Sequence, residues 1–298
     1  MAYNKRTHLQ TNMDAIRTAF ILGREHRKPS EREQTLLREY SGFGGLKCIL
    51  NPTQTELDTA YWSKSEMELY PLVSELHQLI REHSTNEQEY RRYFGSLKSS
   101  ILTAFYTPPQ VVQAIADTLN DNGILPARFL DPSAGNGAFA TAFKQKFPQS
   151  ETLCFEKDLI TGKILSHLHP QAKIHICGFE EIENHPSNRF DVISSNIPFG
   201  DVAVFDTDFS RSNEPVHRQA SRAIHNYFFI KGVDMLREGG ILAFITSQGV
   251  MDSSTAEPVR EWLMNNANLV SAVRLPNNLF TDTAGTEVGS DLIVLQKQ

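Results

Sequence analysis

Asp131-Pro132-Ser133-Ala134-Gly135-Asn136-Gly137-Ala138-Phe139 follows a short apolar run at 128–131 and opens straight into a helical pattern at 138–147. Glycines at a strand-to-helix turn let backbone approach a ligand closely. The helix amides that follow attract electron-rich groups, while Asp131 sets a negative charge at the strand end. Residues 135–140 also satisfy G-x-G-x-x-G/A, so a nicotinamide site and a tight turn with no ligand both compete. Asp131-Pro132 separates these readings. A carboxylate there suits a cationic amino group better than a pyrophosphate, and S-adenosylmethionine carries such a group on its methionine tail.

Outward from this turn, strand patterns at 128–131, 152–156, 173–177, 191–195, 241–246, 269–275 and 291–296 alternate with helical patterns at 138–147, 159–169, 222–237 and 256–266. Alternation of this kind predicts an α/β fold with a mostly parallel sheet covered on both faces. The last two runs are joined by a Gly-, Asn- and Thr-rich connection without a helix, so the final pair is expected to be antiparallel. Ligands bind beyond the carboxyl ends of strands in such sheets. Glu156 ends the second strand, 25 residues after Asp131, where a carboxylate accepts ribose hydroxyls. Gly178-Phe179-Glu180 follows the third, offering an aromatic face for an adenine ring and a polar neighbour.

After the fourth strand comes Ser195-Asn196-Ile197-Pro198-Phe199-Gly200. The Asn196 amide oxygen and the Ile197 carbonyl can each accept one hydrogen of an exocyclic amino group, freeing the nitrogen lone pair. Phe199 can stack on a planar base. Pro198 fixes its own φ and holds the two acceptors in place.

Residues 1–99 read differently, as helices without a β pattern. Ile16, Phe20 and Ile21 share a helical face, Ser30 with Glu33 forms a capping box, and 64–83 carries Leu69, Leu72, Val73, Leu76, Leu79 and Ile80 at helical spacing. Between them lies Tyr40-Ser41-Gly42-Phe43-Gly44-Gly45, readable as a connector or as a functional turn. The chain of 298 residues is 40% apolar and 21% charged, which excludes disorder and repeat fibres. Apolar runs such as 241–245 are too short to span a bilayer, and no secretory leader is evident at 1–10. Three cysteines, Cys48, Cys154 and Cys177, make neither a disulfide framework nor a metal spacing. A cytoplasmic protein is expected. Net charge is +1 over residues 1–100 and −7 over the remainder, unlike a strongly basic nucleic-acid binder.

These motifs resemble the S-adenosylmethionine-dependent DNA methyltransferases of the adenine-N6 class, in the order cofactor loop first and catalytic loop second. Residues 131–139 resemble D-P-x-x-G-x-G, and Asn196-Ile197-Pro198-Phe199 resembles N-P-P-Y/F. Thr103-Ala104-Phe105-Tyr106-Thr107-Pro108-Pro109 resembles the F-Y-T-P-P segment that closes over the methionine moiety. Residues 259–297, with Arg274-Leu275-Pro276-Asn277-Asn278-Leu279-Phe280, are similar to the end of type I modification subunits. The preface with Tyr40–Gly45 looks like the start of large methylase–helicase fusion proteins of mobile elements and phages.

The resemblance implies a Rossmann-like seven-stranded methyltransferase sheet with an antiparallel last strand over residues 100–298, preceded by a helical domain over 1–99. It implies Asn196, Ile197, Pro198 and Phe199 as catalytic residues. Tyr106, Thr107, Pro108, Asp131, Pro132, Ala134, Gly135, Asn136, Gly137, Phe139, Glu156, Phe179 and Glu180 would bind S-adenosylmethionine, with no metal. The expected activity is methyl transfer to adenine N6 in DNA, on a flipped-out base. Arg211, His217 and Arg218 would touch the backbone nearby. DNA is expected to bind weakly to this chain alone, with specificity supplied by a further C-terminal region such as a helicase or by a partner subunit, and with no membrane partner.

Two departures stand out. Ile197 replaces the first proline of N-P-P-F, as in ribosomal-RNA adenine dimethylases, which leaves RNA as an alternative substrate. Gly178 stands where an aspartate often contacts the cofactor's adenine, and Glu180 is the candidate substitute. Cytosine-C5 chemistry needs a presented thiolate, and Cys154 and Cys177 read instead as buried strand residues. A nicotinamide oxidoreductase leaves 196–199 without a purpose, whereas a catalytically silent DNA-associated module accommodates the departures.

Overall fold

A computed structural model describes residues 4–103, 105–200, 202–280 and 288–298. Ala104 and residues 281–287 of the motif segments above lie outside the described residues.

Strands β1 (Arg128–Asp131), β2 (Glu151–Phe155), β3 (Lys173–His175), β4 (Phe190–Asn196), β5 (Leu236–Ser247), β6 (Ala267–Arg274) and β7 (Ser290–Lys297) form one sheet in the order β3-β2-β1-β4-β5-β7-β6. The first five are parallel. β7 runs antiparallel between β5 and β6. Successive residues on a strand point to opposite faces, and the central strands show it. Phe129, Val192, Ile241, Ala243 and Ile245 face a core built with helices α5 (Pro109–Asp121) and α6 (Ala138–Lys146). Leu130, Ile193, Leu242 and Phe244 face the opposite core, which holds α10 (Ile224–Met235) and α12 (Glu257–Asn266).

Helices α1 (Lys5–Glu25), α2 (Glu31–Arg38), α3 (Tyr70–Glu82) and α4 (Glu87–Thr103) precede the sheet. Their apolar core takes in Ile160 and Ile164 of α7 (Leu159–Leu168), so the preface is seated on the second crossover helix. The helix expected over 64–83 is shorter: a 3-10 turn covers Met67–Leu69 and α3 begins at Tyr70, with Pro71 in its first turn. Proline lacks an N–H and fits there because first-turn amides have no intrahelical partner. α4 runs unbroken through residues 99 and 100.

The turn at 40–45 is not a loose connector. Tyr40 and Phe43 are buried, and Gly42 and Gly45 adopt φ of 69° and 74°. Asn12 binds it from both sides, accepting from the Ser41 amide and donating to the Gly42 carbonyl. Ser100 Oγ accepts from the Phe43 amide at 3.0 Å.

Candidate active site

The carboxyl ends of β1, β2 and β4 converge at one sheet edge, and β6, parallel to β5, ends there too. Asp131 is the last residue of β1 and is fully buried. Its Oδ1 accepts from Ser195 Oγ at 2.7 Å and from the Ser133 amide at 3.2 Å, while its buried Oδ2 has no partner. Burial pushes this carboxyl up to about 7 against those two hydrogen bonds. A buried acceptor left unpaired costs stability, so Oδ2 marks a place made for a donor. The Thr107 hydroxyl is a second buried polar group without a hydrogen bond.

Glu156 directly follows β2 and is nearly buried. One oxygen accepts from the Gly135 amide and the other from the Asp158 amide, both at 2.7 Å. Burial, then the neighbouring Asp158, raise it to about 8. A carboxylate has about four lone-pair sites, so these two bonds fix its orientation and leave acceptor capacity for hydroxyls.

Gly135 (φ 55°) is pressed by Tyr106, whose ring edge would lie 2.6 Å from a Cβ at 135. Only glycine allows the 105–108 segment to close on this loop. Asn136 turns the other way and donates to the Tyr40 carbonyl at 3.4 Å, tying the cofactor loop to the helical preface. Gly178 has a comparable explanation. A side chain there would place its Cβ 2.1 Å from Glu180 Oε2, so the Glu180 carboxylate fills the space a residue at 178 would use. Lys157 holds it at 2.6 Å.

Three expected cofactor residues face elsewhere. Phe179 is buried, with Phe228 at 5.3 Å and Phe155 at 6.2 Å, so its ring is core and offers no open face to an adenine. Phe139 belongs to the core under α5 and α6. Gly137 is needed for packing: a Cβ there would lie 2.5 Å from His169 Nε2 and 2.7 Å from Leu165, and its amide already donates to the Ala134 carbonyl. Pro132 and Ala134 are buried parts of the turn, and Pro108 caps α5. His217 also turns inward, stacked on Phe209 with its Nε2 3.3 Å from Asp234, and does not reach toward a nucleic-acid backbone. Arg218 donates to the Ser212 carbonyl.

Asn196 is the final residue of β4 rather than the first of the loop. Its Nδ2 donates to the Phe105 carbonyl at 2.5 Å, and its Oδ1 is buried without a hydrogen bond. Phe105 and Phe199 are nearly coplanar in orientation (10°) with centroids 6.5 Å apart. Phe280 meets both nearly edge-on, at 6.2 and 6.1 Å. Ile197 turns its side chain into the core, which leaves its backbone as the group available to a ligand, and Pro198 is half-buried. Phe280 and Ser195 had no role assigned from sequence, and Phe105 entered only as part of the segment expected to close over the methionine moiety. The strand-end rule points to Phe280, because it closely follows the end of β6.

Sheet order, the antiparallel β7 and the glycine turn after β1 define the fold class of S-adenosylmethionine-dependent methyltransferases. A modification subunit described as part of a type I restriction enzyme from Vibrio vulnificus shares this fold, with a TM-score of 0.55 at 17% identity over 99% of this chain and 77% of its own. The N-6 DNA Methylase profile matches residues 90–298, and the chain belongs to that family. It is 26% identical over 204 residues to Defense against restriction protein B of Escherichia phage P1, covering 68% of this chain and 9% of that protein. It is 26% identical over 176 residues to the type II methyltransferase M.XamI of Xanthomonas campestris pv. amaranthicola, covering 54% and 33%. The chain thus spans a third or less of the length of these two relatives.

Proposed function

We propose that the protein transfers a methyl group from S-adenosylmethionine to the N6 amino group of adenine in DNA. The observation that carries this reading is the buried, unpartnered Asn196 Oδ1 beside Phe105, Phe199 and Phe280. It is an acceptor held in place with nothing to accept, next to aromatic rings that suit a planar base. Family membership supports the same chemistry.

The cofactor end fits the methyl donor. Asp131 Oδ2 suits its α-ammonium, Glu156 its ribose hydroxyls and Glu180 its adenine amino group, while Tyr106, Thr107 and Gly135 enclose the methionine side. When bound, S-adenosylmethionine supplies a sulfonium methyl as electrophile. Asn196 Oδ1 and the Ile197 carbonyl accept the two amino hydrogens and so turn the nitrogen lone pair out of the ring. Phe199 stacks on the base, Pro198 restricts the chain carrying both acceptors, and the Asn196–Phe105 bond fixes which amide edge faces the base. The chemistry is orientation and charge placement, which together account for large rate enhancements.

On this reading residues 100–298 are the catalytic domain and 1–99 a helical domain that backs the cofactor loop through Tyr40. The −7 charge of the catalytic part supports a division of labour in the cytoplasm, with a further region or partner subunit reading base sequence and gripping phosphates. Asn196→Ala tests the assignment. It should abolish methyl transfer while S-adenosylmethionine affinity falls far less, by no more than the loss of the single bond to the Phe105 carbonyl allows. Wild-type turnover in that variant would remove the 196–199 loop from catalysis.

A further inference from the structure

Lys231, on α10, is only 2% exposed and serves no step above. Its Nζ lies 2.6 Å from Asp206 Oδ2 and donates to the Glu180 carbonyl at 3.2 Å. The rings of Phe179, Tyr227 and Phe209 surround it at 5.6, 5.6 and 5.9 Å. Tyr227 Oη donates to the same Asp206 oxygen at 2.6 Å. The other Asp206 oxygen accepts from the amides of Asp208 and Phe209, opening the short helix α8 (Thr207–Arg211). Burial alone would push the Asp206 carboxyl up, but the bonds from Lys231 and Tyr227 outweigh it and hold the group below its ordinary value. Both partners of this ion pair are buried.

Apolar residues of similar volume often replace such a pair without loss of stability, so its presence calls for a reason beyond packing. Position supplies one. Asp206 belongs to the segment that leaves the site after Phe199, whereas Glu180 belongs to the turn placed at the cofactor's adenine. One buried ammonium joins the two, with cation–π contacts on three sides. Asp206 is thereby anchored beside Phe205, which is 81% exposed, on the segment that follows the 196–199 loop in the chain.

We infer that Lys231 is a positioning residue that ties the Gly178–Glu181 turn to the 202–211 segment, so that occupation of the adenine subsite orders the substrate side. This rests on the cofactor reading above. The probe is S-adenosylmethionine itself, followed by calorimetry and by amide hydrogen exchange over 202–211. In the wild type, binding should slow exchange in that segment. Lys231→Met combined with Asp206→Asn removes both charges together and avoids leaving one uncompensated. It should bind S-adenosylmethionine with little change, lose the slowing, and turn over DNA about a hundredfold more slowly at unchanged KM for the methyl donor. Retained slowing and turnover in the double variant would overturn the inference and leave the pair a structural filler. No binding by the wild type would instead overturn the cofactor reading, and this inference with it. If the double variant does not fold, Tyr227→Phe, which keeps both charges and loses one bond, should show a partial loss of the slowing. Wild-type behaviour there would count equally against the proposal.

Discussion

Protonation of Asp131 offers a quantitative handle on the cofactor site. Without a ligand, burial holds its carboxyl near 7, so the folded state disfavours the charged form. The group's contribution to stability is therefore complete below the ordinary carboxylate value and is lost as pH rises through 7. At pH 8 the ionised, half-satisfied side chain costs on the order of 4 kcal/mol relative to a solvated one. An ammonium beside Oδ2 reverses the preference, because it needs the carboxylate. Affinity for S-adenosylmethionine should then fall with pH, by roughly tenfold (about 1.4 kcal/mol) between pH 7.5 and 6.0. Staying below pH 7.5 keeps the donor's own α-amino group, at roughly 7.7–8.0, largely protonated. Calorimetry in buffers of different ionisation enthalpy reads the proton released on binding. Asp131→Asn keeps the oxygen facing Ser195 and Ser133 and removes the titration. Its affinity should be weaker at pH 7.5 and its release smaller by about three-quarters of a proton at pH 6.5. Glu156, raised to about 8, adds its own slope in both proteins, so the difference between them isolates Asp131. Superimposable pH profiles for the wild type and Asp131→Asn would refute the ammonium assignment.

Other perturbations follow from the same geometry. Glu156→Ala removes hydroxyl acceptors and also strands the Gly135 and Asp158 amides, so S-adenosylmethionine affinity should drop about ten- to a hundredfold in calorimetric titration. Gly135→Ala forces a side chain into the Tyr106 ring at positive φ, which should cost about 1–3 kcal/mol of stability from overpacking and weaken cofactor binding. Tyr106→Leu added to that variant should recover part of the melting temperature; no recovery would mean that Tyr106 does not press on the loop.

Much of the sheet was legible because buried strands between helices leave an apolar run and a strand-end signature. The run at 128–131 matches β1, and 191–195 misses β4 by one residue at each end, which moves Asn196 from the loop onto the strand. Ring direction was not legible. Phe139 and Phe179 each sit beside glycines where a ligand face or a core face is equally compatible with sequence, and long-range neighbours such as Phe155 and Phe228 decide it. The Glu180 carboxylate over Gly178 was readable only as a possible substitution; the fold-back that realises it depends on the absence of one Cβ. Tyr40 and Lys231 were hidden for a different reason. Their partners, Asn136, Glu180 and Asp206, lie far along the chain, and no local pattern records a contact made by tertiary packing.

The central claim is methyl transfer to adenine N6. Incubation of unmethylated DNA with the protein and methyl-labelled S-adenosylmethionine, followed by digestion and nucleoside analysis, tests it directly. Label is expected in N6-methyldeoxyadenosine and to be absent from that nucleoside with Asn196→Ala. Label in a methylated cytosine, or in no nucleoside despite measured cofactor binding, would contradict the account.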